Sequence, residues 1–144
     1  MQIRIHDGAH MNRFAADYVS HLVASMGSST VVALSGDLGA GKTTFAQAVA
    51  KSLGVEETVN SPTFVIQKVY ALSDQQWGRL IHIDAYRLKS ADELRALGWD
   101  EMVGNQADLI LIEWPEHVEG AIPEDVHHVS IELGDGEERT ITYG

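Results

Sequence analysis

The sequence predicts a single α/β domain over residues 1–144, with a mixed sheet flanked by helices. Two observations predict this class. Strands that read as buried on both faces occur together with amphipathic helices, a pattern typical of a parallel sheet. The chain also has more predicted strands than helices, and a purely parallel sheet needs a long crossover between each pair of strands. We therefore expect a parallel centre with antiparallel additions, and we find no linker or repeat.

The first part of the chain predicts a strand, a helix, a strand and a second helix. Ile3 and Ile5 alternate with polar residues, as in a short edge strand. An amphipathic helix follows and ends at Gly27. Its apolar positions are Phe14, Tyr18, Leu22 and Met26. Residues 30–34 are β-branched and apolar, which favours a strand buried on both faces. A glycine-rich turn then leads into a helix that ends at Gly54. Its apolar face carries Phe45, Val49 and Leu53.

The middle of the chain predicts two strands that pair with each other. Residues 60–62 break the helical pattern, and residues 64–72 and 79–85 read as strands. The connection between them is too short for a helical crossover, so we expect them to pair antiparallel. Residues 90–93 form a capping box for a short helix that Gly98 closes.

The last part of the chain predicts a buried strand and a terminal hairpin. Residues 109–112 form an apolar run, as expected for a buried strand. Residues 129–133 alternate between apolar and polar, and the turn at residues 134–136 leads into a strand over residues 139–143.

The charge balance is strongly acidic. Ten lysines and arginines stand against 21 aspartates and glutamates, which gives a formal net charge of −11. A chain of this charge is a poor binder of nucleic acid by itself, because phosphate contacts need clustered cations. The sequence has no cysteine, no recognisable signal peptide and no apolar run long enough to span a membrane. We therefore expect a cytoplasmic protein without a membrane partner.

The strongest chemical signal is the segment from Gly36 to Thr43. It matches the phosphate-binding pattern G-x-x-x-x-G-K-[ST], and it lies between a buried strand and an amphipathic helix. Its glycines let backbone N–H groups point at phosphate, and the following helix presents its positive N-terminus. Lys42 is expected to reach the β- and γ-phosphates, and the Thr43 hydroxyl to bind Mg²⁺. The sequence thus predicts a P-loop NTPase domain.

Two carboxylates are candidates for the magnesium and water chemistry that such a site requires. Asp84 follows Leu80-Ile81-His82-Ile83 and Glu113 follows four apolar residues, each at the end of a predicted strand. An ordinary strand-end charge is the alternative for either one. Thr63 lies between the P-loop helix and the next strand, where switch proteins hold a threonine that senses the γ-phosphate. A turn hydroxyl is the alternative reading for Thr63.

Four segments in order resemble the bacterial TsaE family, formerly called YjeE. They are residues 35–44, 61–64 (Ser-Pro-Thr-Phe), 82–87 (His-Ile-Asp-Ala-Tyr-Arg) and 112–116 (Ile-Glu-Trp-Pro-Glu). The resemblance covers residues 34–116. It implies a small ATPase of threonylcarbamoyladenosine biosynthesis on tRNA, which binds ATP and Mg²⁺ and hydrolyses ATP slowly. It also implies a complex with TsaB and TsaD, the latter of which transfers the threonylcarbamoyl group to adenosine 37, so that tRNA is met only through partners.

The resemblance also implies roles for individual residues. Thr63 corresponds to the switch-like threonine, and Asp84 and Glu113 to the acidic pair around Mg²⁺ and the attacking water. Thr43, Glu113 and Asp84 are therefore the candidate metal residues. The candidate nucleotide-binding residues are Asp37, Leu38, Gly39, Ala40, Gly41, Lys42, Thr43, Thr44 and Trp114. His82, Tyr86 and Arg87 belong to the motif without a clear role.

Two other functions stay open at this stage. A small-molecule kinase also uses a P-loop and Mg²⁺, although its lid usually supplies several arginines and those of this chain are dispersed. A nucleotide-gated interaction module, in which hydrolysis is incidental, is the non-enzymatic alternative. A GTPase is disfavoured because the sequence contains no Asn-Lys pair for a guanine motif. Without an evident arginine finger, we expect slow intrinsic turnover that a partner raises.

Overall fold

The computed structural model describes residues 1–24, 28–37, 39–56, 67–105 and 108–144. The strands in these ranges are β1 (Gln2–Ile5), β2 (Thr30–Ser35), β3 (Gln67–Ala71), β4 (Arg79–Asp84), β5 (Leu109–Glu113), β6 (His127–Leu133) and β7 (Arg139–Tyr143). The helices are α1 (Gly8–Ser20), α2 (Lys42–Ser52), α3 (Ala91–Arg95) and α4 (Trp99–Asn105), with a 3₁₀ segment at Pro115–Ala121. None of the helices in the described ranges is long and apolar enough to cross a membrane.

The strands form one mixed sheet in the order β1-β7-β6-β2-β5-β4-β3. The four central strands β6, β2, β5 and β4 run parallel to one another. β3 pairs antiparallel with β4, and β7 pairs antiparallel with both β1 and β6. The predicted mixed sheet with a parallel centre is thus confirmed, as are the terminal hairpin and the antiparallel pair in the middle of the chain.

The two faces of the sheet are covered by different helices. On one face, Phe14 of α1 and Phe45 of α2 pack with Leu111 of β5 in one apolar cluster. On the other face, Leu94 of α3 and Trp99 of α4 pack with apolar residues of β2, β4 and β5. Because side chains alternate along a strand, β2, β4 and β5 each contribute to both clusters. The central strands are therefore held rigidly, and so are the residues at their ends.

Two helical predictions differ from the structure. The first helix ends at Ser20 rather than at Gly27, which lies outside the described residues. The cause is a contact with a distant side chain: Gln76 donates to the carbonyl of Leu22 at 2.7 Å and accepts from the N–H of Ala24 at 2.9 Å. Helix α4 was not predicted, because it contains only seven residues and therefore shows little periodicity.

The strand register brings three chain segments together at one edge of the sheet. Leu34 of β2 lies opposite Glu113 of β5, and Glu113 lies opposite Asp84 of β4. Because these three strands are parallel, their carboxyl ends meet at the same edge, where ligands of open α/β sheets usually bind. The segment that follows β2 begins with Gly36.

Candidate functional site

The segment after β2 folds into a tight loop that only glycine allows at its start. Gly36, Gly39 and Gly41 all have positive φ angles, of 150°, 79° and 110°. A Cβ atom on Gly36 would lie 2.5 Å from the carbonyl oxygen of Ile131. Gly41 precedes α2, and no side chain caps the helix there. The N–H groups of the first turn are therefore not bonded to a side-chain cap, as in anion-binding loops.

Lys42 is folded back onto this loop. Its side chain is 5% exposed, and Nζ donates to the carbonyls of Gly36 and, at 3.3 Å, of Asp37. The ammonium also lies 3.8 Å from the centre of the Trp114 ring, a cation–π contact. Burial lowers the pKa of Lys42, while the nearby carboxylates of Glu113, Glu116, Asp84 and Asp37 act in the opposite direction.

Asp84 and Glu113 form a buried acidic pair beside Lys42. They lie opposite each other at the ends of β4 and β5 and are 6% and 3% exposed. Asp84 Oδ1 accepts a hydrogen bond of 3.0 Å from the backbone N–H of Tyr86. Glu113 Oε2 lies 2.6 Å from Nε2 of His82, which is also buried. Asp84 is thus oriented by the turn that follows β4, and Glu113 by a histidine of the neighbouring strand.

An aromatic cluster closes one side of the site. Trp114 has a left-handed conformation with φ 59°, which ends β5 and turns the chain into the 3₁₀ segment. Its ring centre lies 5.2 Å from that of Tyr86 and 5.4 Å from that of His117. His117 Nδ1 also lies 3.2 Å from the carbonyl oxygen of Ala85. Trp114 is therefore wedged between the lysine and two further rings.

A pocket opens beside the loop, lined by the start of α1 and the terminal hairpin. Its lining includes Ile5, Met11, Gly39, Thr44 and Arg139. The side chain of Arg139 reaches back to the loop, where Nε donates to the carbonyl of Ala40 at 3.0 Å. Sequence reasoning missed this role, because the two residues lie 99 positions apart. The alternation of apolar and polar residues in β7 predicted a strand but gave no sign of a contact with the loop.

The structure brings most of the candidate residues together. Lys42, Asp84, Glu113 and Trp114 converge, and Thr43 and Thr44 occupy the first turn of α2, where Thr43 is half-buried and Thr44 exposed. Asp37 and Gly39 are exposed and Ala40 is buried in the loop. Leu38 and Thr63 lie outside the described residues, so their predicted roles stay predictions.

The donor set suits a nucleotide triphosphate with magnesium. Backbone N–H groups at a helix N-terminus and a lysine ammonium match phosphate oxygens. Mg²⁺ prefers oxygen ligands, and in phosphate-transfer sites it is commonly held by one or two carboxylates together with the substrate phosphates. The Thr43 hydroxyl and the carboxylates of Asp84 and Glu113 are ligands of this kind.

Comparison with known protein families gives one match over nearly the whole chain. The model of a family described as "Threonylcarbamoyl adenosine biosynthesis protein TsaE" matches residues 6–141. That range contains the loop, both carboxylates, Trp114 and Arg139.

Individual relatives agree with this match. The chain is 41% identical over 113 residues to the tRNA threonylcarbamoyladenosine biosynthesis protein TsaE of Bacillus subtilis, covering 78% of this chain and 68% of that protein. It is 40% identical over 110 residues to the protein of the same name from Treponema pallidum, covering 74% and 76% of the two chains. Among solved structures, Bacillus subtilis YdiB superposes with a TM-score of 0.77 at 29% identity, covering 99% of this chain and 83% of that one.

Proposed function

The chain belongs to the TsaE family of threonylcarbamoyl adenosine biosynthesis proteins, and we propose that it serves this tRNA modification, in the cytoplasm, by binding ATP and hydrolysing it slowly with Mg²⁺. The observation that carries the proposal is the loop between β2 and α2, with Lys42, Asp84 and Glu113 beside it. A strand, loop and helix of this pattern bind the phosphates of nucleotides.

The loop and Lys42 bind the phosphate chain in this proposal. The N–H groups of the loop and of the first turn of α2 donate to phosphate oxygens. Lys42 exchanges the carbonyls of Gly36 and Asp37 for the β- and γ-phosphates. The exchange is favourable because the ammonium then faces the full negative charges of phosphate oxygens in place of carbonyl dipoles.

The acidic pair and Thr43 hold the metal and the attacking water. When bound, Mg²⁺ would neutralise charge that develops on the β- and γ-phosphate oxygens. The Thr43 hydroxyl would be its ligand from the helix. One of Asp84 and Glu113 holds the ion or its water, and the other accepts a hydrogen bond from the attacking water and orients it. Their burial keeps these contacts in a region of low dielectric, where they are stronger than in water.

The pocket between the loop and the terminal hairpin would take the nucleoside. Thr44 and Gly41 line it on the loop side, and Ile5 and Met11 supply apolar surface for a base. Arg139 joins the hairpin to the loop through the carbonyl of Ala40. Small-molecule sites are usually lined by apolar side chains together with a few polar or charged groups, and this pocket has that composition.

Partners complete the proposed function. TsaB and TsaD are the proposed partners, and tRNA is reached through them rather than by this chain. A net charge of −11 supports that division, because a strongly acidic surface repels the phosphates of RNA.

Slow basal turnover is part of the same proposal. Arg139, which contacts the loop, donates to the backbone carbonyls of Ala40, Gly136 and Glu138. It is therefore already engaged, and an arginine supplied by a partner would raise the rate by about 10³ to 10⁵. The two alternatives also use this loop. A small-molecule kinase would transfer the γ-phosphate to an acceptor other than water, and in a nucleotide-gated interaction module hydrolysis would be incidental to function.

The test is ATP hydrolysis by the purified chain with Mg²⁺, alone and with TsaB and TsaD. We expect low basal activity that rises with the pair and is lost in Lys42→Ala. Lys51→Ala is the matched control, because Lys51 is an exposed lysine in the last turn of the same helix. Activity that the pair leaves unchanged would contradict the partner-coupled ATPase. Phosphate found on a small acceptor would favour the kinase, and tRNA modification without hydrolysis would favour the gated module.

A further inference from the structure

His82 is a buried polar residue to which the proposed function gives no role. It lies in the middle of β4 and is 1% exposed. Its chain neighbours, Ile81 and Ile83, face the other side of the sheet. Its Nε2 lies 2.6 Å from Glu113 Oε2 on the neighbouring strand. An ionised carboxylate only accepts hydrogen bonds, so Nε2 carries the proton and donates.

The other ring nitrogen of His82, Nδ1, lowers the stability of the fold. Nδ1 is buried and has no hydrogen-bond partner in the described part of the chain. A buried polar atom without a partner costs about 1 to 3 kcal/mol. Leucine or isoleucine, which fill the positions around it at Leu80, Ile81 and Ile83, would occupy this space without that cost. A role in packing alone therefore does not account for a histidine here.

The register shows what the histidine does to Glu113. His82 and Asp84 project to the same face of β4, two residues apart, and Asp84 lies opposite Glu113. The bond from His82 therefore reaches Glu113 diagonally across the two strands. It engages Oε2 and leaves Oε1 as the oxygen that can serve the site beside Lys42. A glutamate held by this bond samples fewer rotamers than a free one.

We propose that His82 is a positioning residue that fixes the carboxylate of Glu113 toward magnesium and the attacking water. The inference rests on the proposed function. Hydrogen-bonded partners of ligating carboxylates orient them, and their removal typically costs about 10- to 100-fold in metal affinity or activity.

The test compares three substitutions of His82. His82→Gln places an amide N–H as many bonds from Cβ as Nε2, so it keeps the donor. His82→Asn places its amide one bond short, at the position of Nδ1, and His82→Leu has no donor. Hydrolysis of ATP with Mg²⁺ is measured for each, together with the affinity for a fluorescent ADP analogue, once with Mg²⁺ and once with EDTA.

We expect kcat to fall about 10- to 100-fold in the Leu and Asn variants and to recover in His82→Gln. The Mg²⁺-dependent gain in ADP affinity should shrink in the same two variants, while the affinity in EDTA stays within about twofold of wild type. In the Glu113→Gln background, removing the donor should change the Mg²⁺-dependent gain no further.

Other results would overturn the inference. They are a kcat within about twofold of wild type in His82→Leu, an equal loss of ADP affinity in EDTA, or an undiminished effect of His82→Leu in the Glu113→Gln background. Should His82→Leu not fold, the comparison of the Gln and Asn variants decides. Wild-type protein that neither binds ADP nor hydrolyses ATP would instead contradict the proposed function, so the two failures are distinguishable.

Discussion

The ammonium of Lys42 lies 3.8 Å from the centre of the Trp114 ring, and the backbone of Trp114 is held in a left-handed turn before Pro115. The structure therefore places a positive charge in a water-poor position beside the carboxylates of Asp84 and Glu113. Aromatic and carbonyl contacts replace part of the lost hydration, and the lowered pKa of Lys42 shows that burial outweighs the nearby carboxylates. The buried charge of Lys42 thus lowers the free energy of unfolding, and the same charge allows the site to bind an anion.

The first prediction is that Lys42→Met stabilises the nucleotide-free protein. Methionine has a similar length, fills irregular space and carries no charge to desolvate. Asp84 and Glu113 keep hydrogen-bond partners in Tyr86 and His82, so neither buried carboxylate loses its last partner. We expect Tm to rise by about 2 to 4 °C, the shift that about 1 kcal/mol produces in a domain of this size. Thermal unfolding in the absence of nucleotide measures it. The same variant should no longer gain stability from added ATP, and an unchanged or lower Tm would contradict the argument.

The pH dependence of this effect has a definite sign. The pKa of Lys42 is lowered in the folded state, so between the folded and the unfolded pKa the unfolded chain binds more protons. Stability of the wild type therefore rises with pH through that interval, up to the ordinary lysine pKa. The advantage of Lys42→Met should be largest at neutral pH and shrink as the pH approaches the ordinary lysine pKa, which paired unfolding curves can check.

Local sequence patterns were sufficient to predict the centre of this site. The P-loop was evident because its glycines, lysine and threonine are contiguous, and because the flanking strand and helix each show their own period. Asp84 and Glu113 were predicted as candidates because each ends a largely apolar predicted strand, and parallel strands bring such ends to one edge. None of these inferences required knowledge of distant contacts.

The remaining features depend on contacts between distant residues. The end of α1 depends on Gln76, and the link from the hairpin to the loop depends on Arg139 and Ala40. The bond between His82 and Glu113 follows from the register of β4 against β5, which hydrophobic periodicity does not define. Short elements such as α4 are also poorly predicted, because seven residues barely show a helical period.

The second prediction concerns the glycine that begins the loop. Gly36→Ala should lose nucleotide binding and destabilise the protein, because the new Cβ would lie 2.5 Å from the carbonyl oxygen of Ile131 at a φ of +150°. Gly104→Ala is the control: Gly104 is exposed on α4, outside the pocket beside the loop, with open space around its Cβ position. That change should leave binding intact and stabilise by about 0.4 to 1 kcal/mol. Equal behaviour of the two variants in ADP binding would contradict this reading of the loop.

The third prediction separates stability from activity. Arg79 donates from two nitrogens to Asp108, at 2.7 and 3.3 Å, and Asp108 is 2% exposed. This bond raises the pKa of Arg79. Arg79→Met leaves a buried carboxylate without its partner and should cost about 1.5 to 3 kcal/mol. ATP hydrolysis should stay near wild type at temperatures where the variant is folded, because Arg79 lies at the opposite end of β4 from Asp84, about 16 Å away.

A second substitution checks the cause of that loss. Changing Asp108 to asparagine in the Arg79→Met background removes the buried charge and should recover part of the stability. Denaturant unfolding of both variants measures the difference. A double variant that is less stable than Arg79→Met would show that the carboxylate is not the source of the cost.

The last prediction concerns the two carboxylates. Asp84→Asn and Glu113→Gln should each lower kcat by about 10² to 10³, the usual loss when one electrostatic group of an active site is removed. Both keep the shape of the side chain, and the amide that replaces the Asp84 carboxylate would still offer an oxygen to the N–H of Tyr86, so the fold should persist. ADP binding in EDTA should stay near wild type in both.

The control is Glu116→Gln. Glu116 also acts on the pKa of Lys42 but is exposed at the start of the 3₁₀ segment, so activity should change by less than about threefold. If Glu116→Gln proved as damaging as the buried pair, the negative charge around Lys42, rather than the placement of two carboxylates at the ends of β4 and β5, would be what hydrolysis requires.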